Sequence, residues 1–118
     1  MFIQLIKKKN EKIYIAGKIS GEKNYKKKFF KAEKKLKQMG YAVMNPAILP
    51  NDKRFFYHDY IKISLKMLDA CDSIYMLEGW QNSNGAKNEL KYAFNSAKKI
   101  YFENKNDEKI TGKLQVYV

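Results

Sequence analysis

The residues best suited to chemistry form one short run, residues 83–89 (SNGAKNE). Ser83 or Asn84 has the side chain of a helix N-cap, and the free amides of a helix start form an anion site. Gly85 lets a ligand approach the backbone closely because it has no side chain. Glu89 follows within two turns, where the helix dipole favours an ionised carboxylate. Such a carboxylate, facing a pocket, is the group that attacks an anomeric carbon. The alternative is that Ser83 is only a cap and Glu89 only a surface residue that complements the dipole.

Other candidate residues have weaker patterns. Residues 17–21 (GKISG) match neither a P-loop nor a dinucleotide-binding motif, and a plain strand-to-helix turn would also explain them. His58 and Asp59 are either an acid–base pair or residues of an exposed helix start. Trp80, the single tryptophan, either stacks on a base or packs beneath its loop or at a dimer interface. Cys71 precedes an apolar strand, so we expect it in the core. No cluster has metal-ligand spacing, and we expect neither a metal nor a cofactor.

Strand and helix patterns alternate around these residues. Short β-rich runs predict strands at residues 12–17, 41–44, 72–77, 99–102 and 114–118. Apolar residues at helical spacing predict helices at residues 25–39, 57–68 and 86–97. Asn24 is the expected N-cap of the first helix, and Gly40 ends it. This order predicts one α/β domain over residues 1–118, with residues 1–11 as an added edge strand or a tail.

The expected architecture is a three-layer flavodoxin-like or Rossmann-like fold, in which helices flank a mostly parallel sheet of four or five strands. Parallel sheets bind ligands at the carboxyl ends of their strands. Three polar or glycine-bearing loops follow the first three strands, at residues 17–21, 45–52 and 78–85. We therefore expect these loops to meet around one pocket.

Charge and composition exclude several classes of protein. Lys and Arg total 24 against 12 Asp and Glu, a net charge of +12, but Arg54 is the only arginine. Recognition of base edges in nucleic acid favours arginine, so a nucleic-acid partner is not expected. The lysines are explained either by a solvated helix face or by a positive electrostatic field that attracts phosphorylated small molecules. One cysteine excludes a disulfide framework. The apolar runs are too short for a membrane span, and the N-terminus lacks the order of a signal peptide, so we expect a cytoplasmic protein.

Four segments in this order resemble one known family. They are YIAG at residues 14–17, NPA at 45–47, CDSIYMLEGW at 71–80, and SNGA at 83–86 followed by Glu89 and Ala93. The sequence resembles DUF4406, a phage and bacterial family of uncharacterised domains. That family is related to the nucleoside 2-deoxyribosyltransferases and the 2′-deoxynucleoside 5′-monophosphate N-hydrolases. The resemblance covers residues 13–102.

The resemblance implies a specific reaction. In the active relatives, the glutamate after Ser-x-Gly attacks C1′ of the deoxyribose and displaces the base, and water or a second base resolves the glycosyl-enzyme intermediate. By this resemblance Glu89 is the nucleophile, and Ser83 and Gly85 contact the sugar or its 5′-phosphate. The resemblance also implies that Tyr14 and the loop residues Gly17, Lys18, Ser20 and Gly21 line the pocket. Asn45, in the loop after the second strand, and Trp80, by its residue type, complete the predicted ligand-binding residues. The implied partners are a nucleoside or nucleotide and further copies of the chain, since the relatives are dimers or higher oligomers.

The sequence also departs from the relatives. Ser64 occupies the position of an aspartate that helps to protonate the leaving base, and helical spacing puts neither Asp59 nor Asp69 at the same point of that face. Lys18 stands where the DUF4406 pattern usually has proline, and Ser20 where the monophosphate hydrolases have a phosphate-binding arginine. Loss of a general acid slows such a reaction by about 10²–10⁴-fold. The alternative function is therefore a non-catalytic protein that sequesters or senses a nucleotide, including a signalling nucleotide.

Overall fold

A computed structural model describes residues 10–109 of the chain. The helices and strands are β1 (Lys12–Ala16), α1 (Tyr25–Gln38), β2 (Ala42–Met44), α2 (Tyr57–Asp69), β3 (Ser73–Met76), α3 (Asn84–Asn95) and β4 (Lys99–Phe102). Two short 3₁₀ turns that the sequence did not predict follow β2 and β3, at Pro46–Ile48 and Trp80–Asn82. Four predicted strands and three predicted helices are thus confirmed. The fifth predicted strand, at residues 114–118, and the expected edge strand or tail, apart from residues 10 and 11, lie outside the described residues.

The four strands form one parallel sheet in the order β2-β1-β3-β4. Tyr14 of β1 lies in register with Met44 on one side and with Ile74 on the other. The chain moves to one side of β1 to form β2 and then to the other side to form β3. In sheets of this kind the crevice at such a reversal, beside the carboxyl ends of the strands, is where ligands bind.

Helices cover both faces of the sheet, which confirms the three-layer α/β architecture. Alternate residues of β1 face opposite layers, since successive side chains of a strand point to opposite faces. Ile13 and Ile15 belong to the core cluster that contains α1 residues, whereas Tyr14 and Ala16 belong to the cluster that contains residues of α2 and α3. All four residues of β3 are buried, as expected for a central strand. The pleat of β1 therefore turns Tyr14 toward the layer that holds Glu89.

The helix ends show which sequence signals act locally. Gly40 has a φ of 98°, a left-handed conformation that suits glycine just after the end of α1. Asn24 lies at the N-cap position of α1, but its side chain makes no capping hydrogen bond, so the predicted capping role is wrong. No helix within residues 10–109 has the length and apolar character needed to cross a membrane.

Candidate functional site

A cleft of about 1020 Å³ lies at the carboxyl ends of β1 and β3, at the upper end of the size range of small-molecule pockets. Its walls are the segment after β1, the segment after β2, one side of α2 and the start of α3. Eight of the ten predicted site residues line it: Tyr14, Gly17, Lys18, Ser20, Gly21, Ser83, Gly85 and Glu89. The fold therefore brings together residues that are up to 75 positions apart in the chain.

The central contact of the cleft joins a phenol to a carboxylate. The Tyr14 hydroxyl, on β1, donates a hydrogen bond to Glu89 Oε2, on α3. Glu89 is buried, with 8% of its surface exposed, although it still lines the cleft. The alternative in which Glu89 is an exposed surface residue is therefore wrong. Instead, this carboxylate is held in one position at the wall of a cavity, shielded from most of the solvent.

Burial sets the charge of this pair. It raises the pKa of Glu89 to about 7, while the hydrogen bond from Tyr14 acts in the opposite direction. Burial, and next the negative charge of Glu89, raise the pKa of Tyr14 well above its usual value, so the phenol remains a donor at neutral pH. The expectation that the helix dipole keeps Glu89 ionised needs correction. Glu89 is the sixth residue of α3, beyond the first turn in which the dipole acts, and desolvation prevails.

The start of α3 gives the cleft a polar floor. The Ser83 hydroxyl accepts a hydrogen bond from the amide of Ala86 at 3.1 Å, which confirms Ser83 as the N-cap. A Cβ at Gly85 would be in ordinary van der Waals contact, 3.7 Å from the Tyr57 hydroxyl and 3.8 Å from Ser83 Oγ, so these two hydroxyls lie beside the glycine. Gly85 and Glu89 are four residues apart and share one face of the helix. A ligand that lies over Gly85 would thus have the hydroxyls of Tyr57 and Ser83 beside it and the carboxylate of Glu89 one helical turn away.

The loop after β1 contributes both packing and charge. A Cβ on Gly17 would lie 2.9 Å from Leu77 Cδ1, 3.0 Å from Leu77 Cβ and 3.2 Å from Phe29 Cζ, so any side chain there would force these buried neighbours to shift. Gly21 has a φ of 77° and turns the loop toward α1. Lys18 brings a positive charge to the edge of the cleft. The loop is therefore both a strand-to-helix turn and a wall of the site.

Two predicted ligand-binding residues do not line the cleft. Trp80 is fully buried, its ring centroid lies 5.9 Å from that of Phe102, and its Nε1 donates to Asp107 Oδ2 at 3.3 Å. The prediction that Trp80 stacks on a base is therefore wrong, and the packing alternative is correct. Asn45 is also buried, and its Oδ1 accepts from the amide of Ala47 at 2.8 Å. It fixes the 3₁₀ turn after β2 rather than contacting the cavity.

The remaining acidic candidates lie outside the cleft. Asp59 accepts a hydrogen bond from the amide of Phe56 at 2.7 Å and caps α2. His58 is exposed and stacks on the Phe56 ring, so the pair belongs to the helix start and not to the cleft. Asp69 accepts from the Tyr92 hydroxyl at 2.6 Å. Within residues 10–109 no three His, Cys, Asp or Glu side chains come together to hold a metal ion.

Ser64 lies in the cleft, where it contributes a hydroxyl next to the central pair. Its hydrogen bond to Tyr14 lowers the pKa of that phenol, against the larger effect of burial. Among the described residues, Glu22 and Glu89 are the carboxylates that line the cleft. Glu22 is paired with Lys28 at 3.1 Å. The cleft thus lacks, in its described part, a second free carboxylate beside Glu89.

Sequence reasoning missed the cleft-facing side of α2. Tyr57 and Ile61 follow the helical spacing of a core stripe, yet both line the cleft, and 61% of Tyr57 is exposed. Cys71, by contrast, is buried as predicted. The sequence did contain a signal for this side of α2. Tyr57 and Ser64 are seven residues apart, about two helical turns, so their hydroxyls lie on one face of the helix.

Comparison with known proteins identifies one family. Residues 11–102, well over half of the chain, match the family model described as a domain of unknown function, DUF4406. No curated protein sequence gives a significant match. The matched region contains β1 to β4, every loop that lines the cleft, and both Tyr14 and Glu89. The chain therefore belongs to the DUF4406 family.

Proposed function

We propose that this protein cleaves or exchanges the N-glycosidic bond of a deoxynucleoside or its 5′-monophosphate, with Glu89 as the nucleophile. One observation supports this proposal above the others: a buried carboxylate in the wall of a cleft, held by a tyrosine hydroxyl. A carboxylate used only for packing or capping has no reason to be desolvated beside a cavity, because burial of a charge is costly. Buried, perturbed carboxylates in clefts are typical of active sites.

In the proposed reaction, the ionised form of Glu89 attacks C1′ of the sugar. The C1′–O bond forms as the C1′–N bond breaks, and the base leaves with the electron pair and takes up a proton from solvent water. Water or a second base then attacks C1′ and gives up a proton to solvent, and the C1′–O bond to Glu89 breaks so that the carboxylate is released. Tyr14 orients the carboxylate through its hydrogen bond. The proposed ligand lies over Gly85, with Ser83 and Lys18 placed to contact the sugar or its 5′-phosphate.

The proposal includes the setting of the reaction. We place it in the cytoplasm of a bacterium or of a phage-infected cell, with a nucleoside or nucleotide as the ligand and no nucleic acid or membrane as a partner. We also propose that the chain forms a homodimer or a higher oligomer.

A second candidate function rests on Ser64. A serine hydroxyl cannot protonate the leaving base as a carboxylic acid would, and the other carboxylate of the described cleft, Glu22, is paired with Lys28. The same cleft would then bind a nucleotide without turnover, and the protein would sequester or sense it. In this case Glu89 and Tyr14 contribute hydrogen bonds to a ligand instead of a reacting atom.

The experiment that separates the two functions measures free base. The purified protein is incubated with the four deoxynucleosides and their 5′-monophosphates, and base release is followed by liquid chromatography. Glu89→Gln keeps the size of the side chain and removes the nucleophile. Asp69→Asn is the matched control, because Asp69 lies outside the cleft.

Each outcome favours one function. Release that is lost in Glu89→Gln and retained in Asp69→Asn supports the glycosidase. A rise in melting temperature with a nucleotide, without any release, supports the binding protein. Neither release nor a shift with any of the eight compounds contradicts the glycosidase and also contradicts binding of these deoxynucleosides and monophosphates.

A further inference from the structure

A short segment beyond β4 packs against the loop that leads into α3. Asp107 accepts two hydrogen bonds from that loop, from Trp80 Nε1 to Oδ2 and from Gln81 Nε2 to Oδ1, each at 3.3 Å. Glu103, at the start of the same segment, accepts from the amide of Glu78 at 2.9 Å. Two carboxylates therefore hold the loop at two points. Both follow residue 102, where the match to the DUF4406 model ends.

The contact at Asp107 continues through the backbone into the cleft. Trp80 O accepts a hydrogen bond from the amide of Ser83 at 3.0 Å, which closes the 3₁₀ turn. Ser83 O then accepts from the amide of Lys87 at 3.0 Å, and Ser83 Oγ accepts from the amide of Ala86. Asp107 is thus joined to the first turn of α3 by hydrogen bonds that Trp80 and Ser83 connect through their covalent structure.

The loop needs such support for a physical reason. It begins at Gly79, whose φ of 86° is a left-handed conformation that glycine adopts readily. A Cβ built at Gly79 would have no neighbour within 4 Å, so packing does not hold the loop at this residue. Trp80 is fully buried but lies outside the cleft, while Ser83, three residues later, lines it. The indole ring of Trp80 therefore anchors the loop on the side away from the cleft. Asp107 fixes the orientation of that ring by accepting a hydrogen bond from Trp80 Nε1.

We propose that Asp107 is a positioning residue of the cleft: it acts through Trp80 to hold the loop that places Ser83 and the start of α3. The segment after β4 then supports the site from outside the residues matched to the family model. The positioning itself does not depend on what the cleft does. Its effect on turnover rests on the proposed function.

Amide hydrogen exchange tests the positioning directly. In Asp107→Ala, exchange of the Ser83 and Ala86 amides is expected to be faster by about tenfold or more, because hydrogen bonds to a carboxylate are lost. The Leu77 amide, which donates to Ala16 O directly after β3, is the internal reference for global opening. Asp69→Ala is the matched control, since it also removes a carboxylate that accepts a hydrogen bond from an aromatic side chain.

Trp80 provides a second, independent readout because it is the only tryptophan of the chain. Loss of its carboxylate partner is expected to shift its fluorescence emission in Asp107→Ala, and Asp107→Asn, which keeps one acceptor oxygen, is expected to lie in between. The proposal would be overturned if the amide exchange rates of Ser83 and Ala86 are unchanged in Asp107→Ala. It would also be overturned if the exchange rate of the Leu77 amide rises by the same factor as theirs.

The kinetic consequence is measured last. If the wild-type protein releases base, kcat/KM is expected to fall by roughly tenfold to hundredfold in Asp107→Ala, and by less than about twofold in Asp69→Ala. Equal kcat/KM for Asp107→Ala and the wild type, alongside faster exchange at Ser83, would show that positioning of this loop has no part in turnover. If the wild-type protein releases no base, the proposed function fails, and the exchange measurement still decides whether Asp107 positions the loop.

Discussion

Replacing Glu89 with glutamine is expected to stabilise the protein, and to do so more as the pH rises. Burial raises the pKa of Glu89 in the folded chain from 4.5 to about 7. The folded state therefore favours the protonated carboxyl, while the unfolded chain releases the proton at a lower pH. The free energy of unfolding therefore falls as the pH rises from the pKa of the unfolded chain to the pKa of the folded chain, and the loss stays constant above the folded-state pKa. A glutamine carries no charge at any pH, and its carbonyl oxygen still accepts from Tyr14.

The magnitude follows from the width of the window. Each pH unit between the two pKa values corresponds to about 1.4 kcal/mol of unfolding free energy. The window from 4.5 to about 7 gives a difference of roughly 3 kcal/mol between Glu89→Gln and the wild-type protein above pH 7. Below the lower value, both side chains are neutral and the difference nearly disappears. This is a large effect for a protein whose total stability is about 5–15 kcal/mol.

The assay is urea unfolding at a series of pH values from 4.5 to 8, followed by the fluorescence of Trp80. Asp69→Asn controls for the change in net charge. The reasoning is refuted if Glu89→Gln gains the same stability at both ends of the series, or if it is less stable than the wild-type protein at pH 8. A gain that grows with pH would show that the protein maintains a destabilising charge in its cleft, as proteins do for function.

Three further outcomes are expected from the same geometry. The initial rate of base release should rise with pH through about 7 and then level off, since the ionised form of Glu89 attacks in the proposed reaction. In Tyr14→Phe the midpoint of this rise should lie at higher pH, because the hydrogen bond that lowers the pKa of Glu89 is lost. Gly85→Ala should fold normally, as its Cβ would lie 3.7 Å from the nearest side-chain atom, yet weaken nucleotide binding in calorimetry by roughly tenfold to hundredfold. Gly17→Ala should lower the unfolding free energy by about 1–3 kcal/mol in urea titrations, because its Cβ would lie 2.9 Å from Leu77 Cδ1.

The sequence predicts the order of elements well because that order depends on local patterns. The bounds of β4, residues 99–102, agree with the prediction, and Tyr57 begins the second helix as expected. The 3₁₀ turn at Pro46–Ile48 was missed because one turn of three residues has no hydrophobic period to detect. Asn45 caps that turn through its Oδ1, which accepts from the amide of Ala47.

The environment of the site residues was predicted less well, since it depends on contacts between distant parts of the chain. Glu89 was correctly placed in the cleft, but its burial follows from packing against Tyr14, which spacing within α3 does not reveal. Trp80 illustrates the same limit. Its partner Asp107 lies 27 residues later, in a charged segment with little pattern of its own. Helical and strand periodicity assigns a residue to an element, and tertiary packing decides whether that residue faces a ligand or the core.

The packing around Gly17 has a consequence for comparing members of the family. Since Leu77 and Phe29 occupy the space a side chain would need, any relative with the same packing favours glycine there, whatever its cleft does. A glycine at this position therefore marks shared architecture. The hydrogen-bonded pair of Tyr14 and Glu89 marks the chemistry proposed for the cleft, yet its members are separated by 75 positions and lie in no contiguous motif. Sorting the family by joint presence of the tyrosine and the glutamate would separate members that share this hydrogen-bonded pair from members that share the scaffold alone.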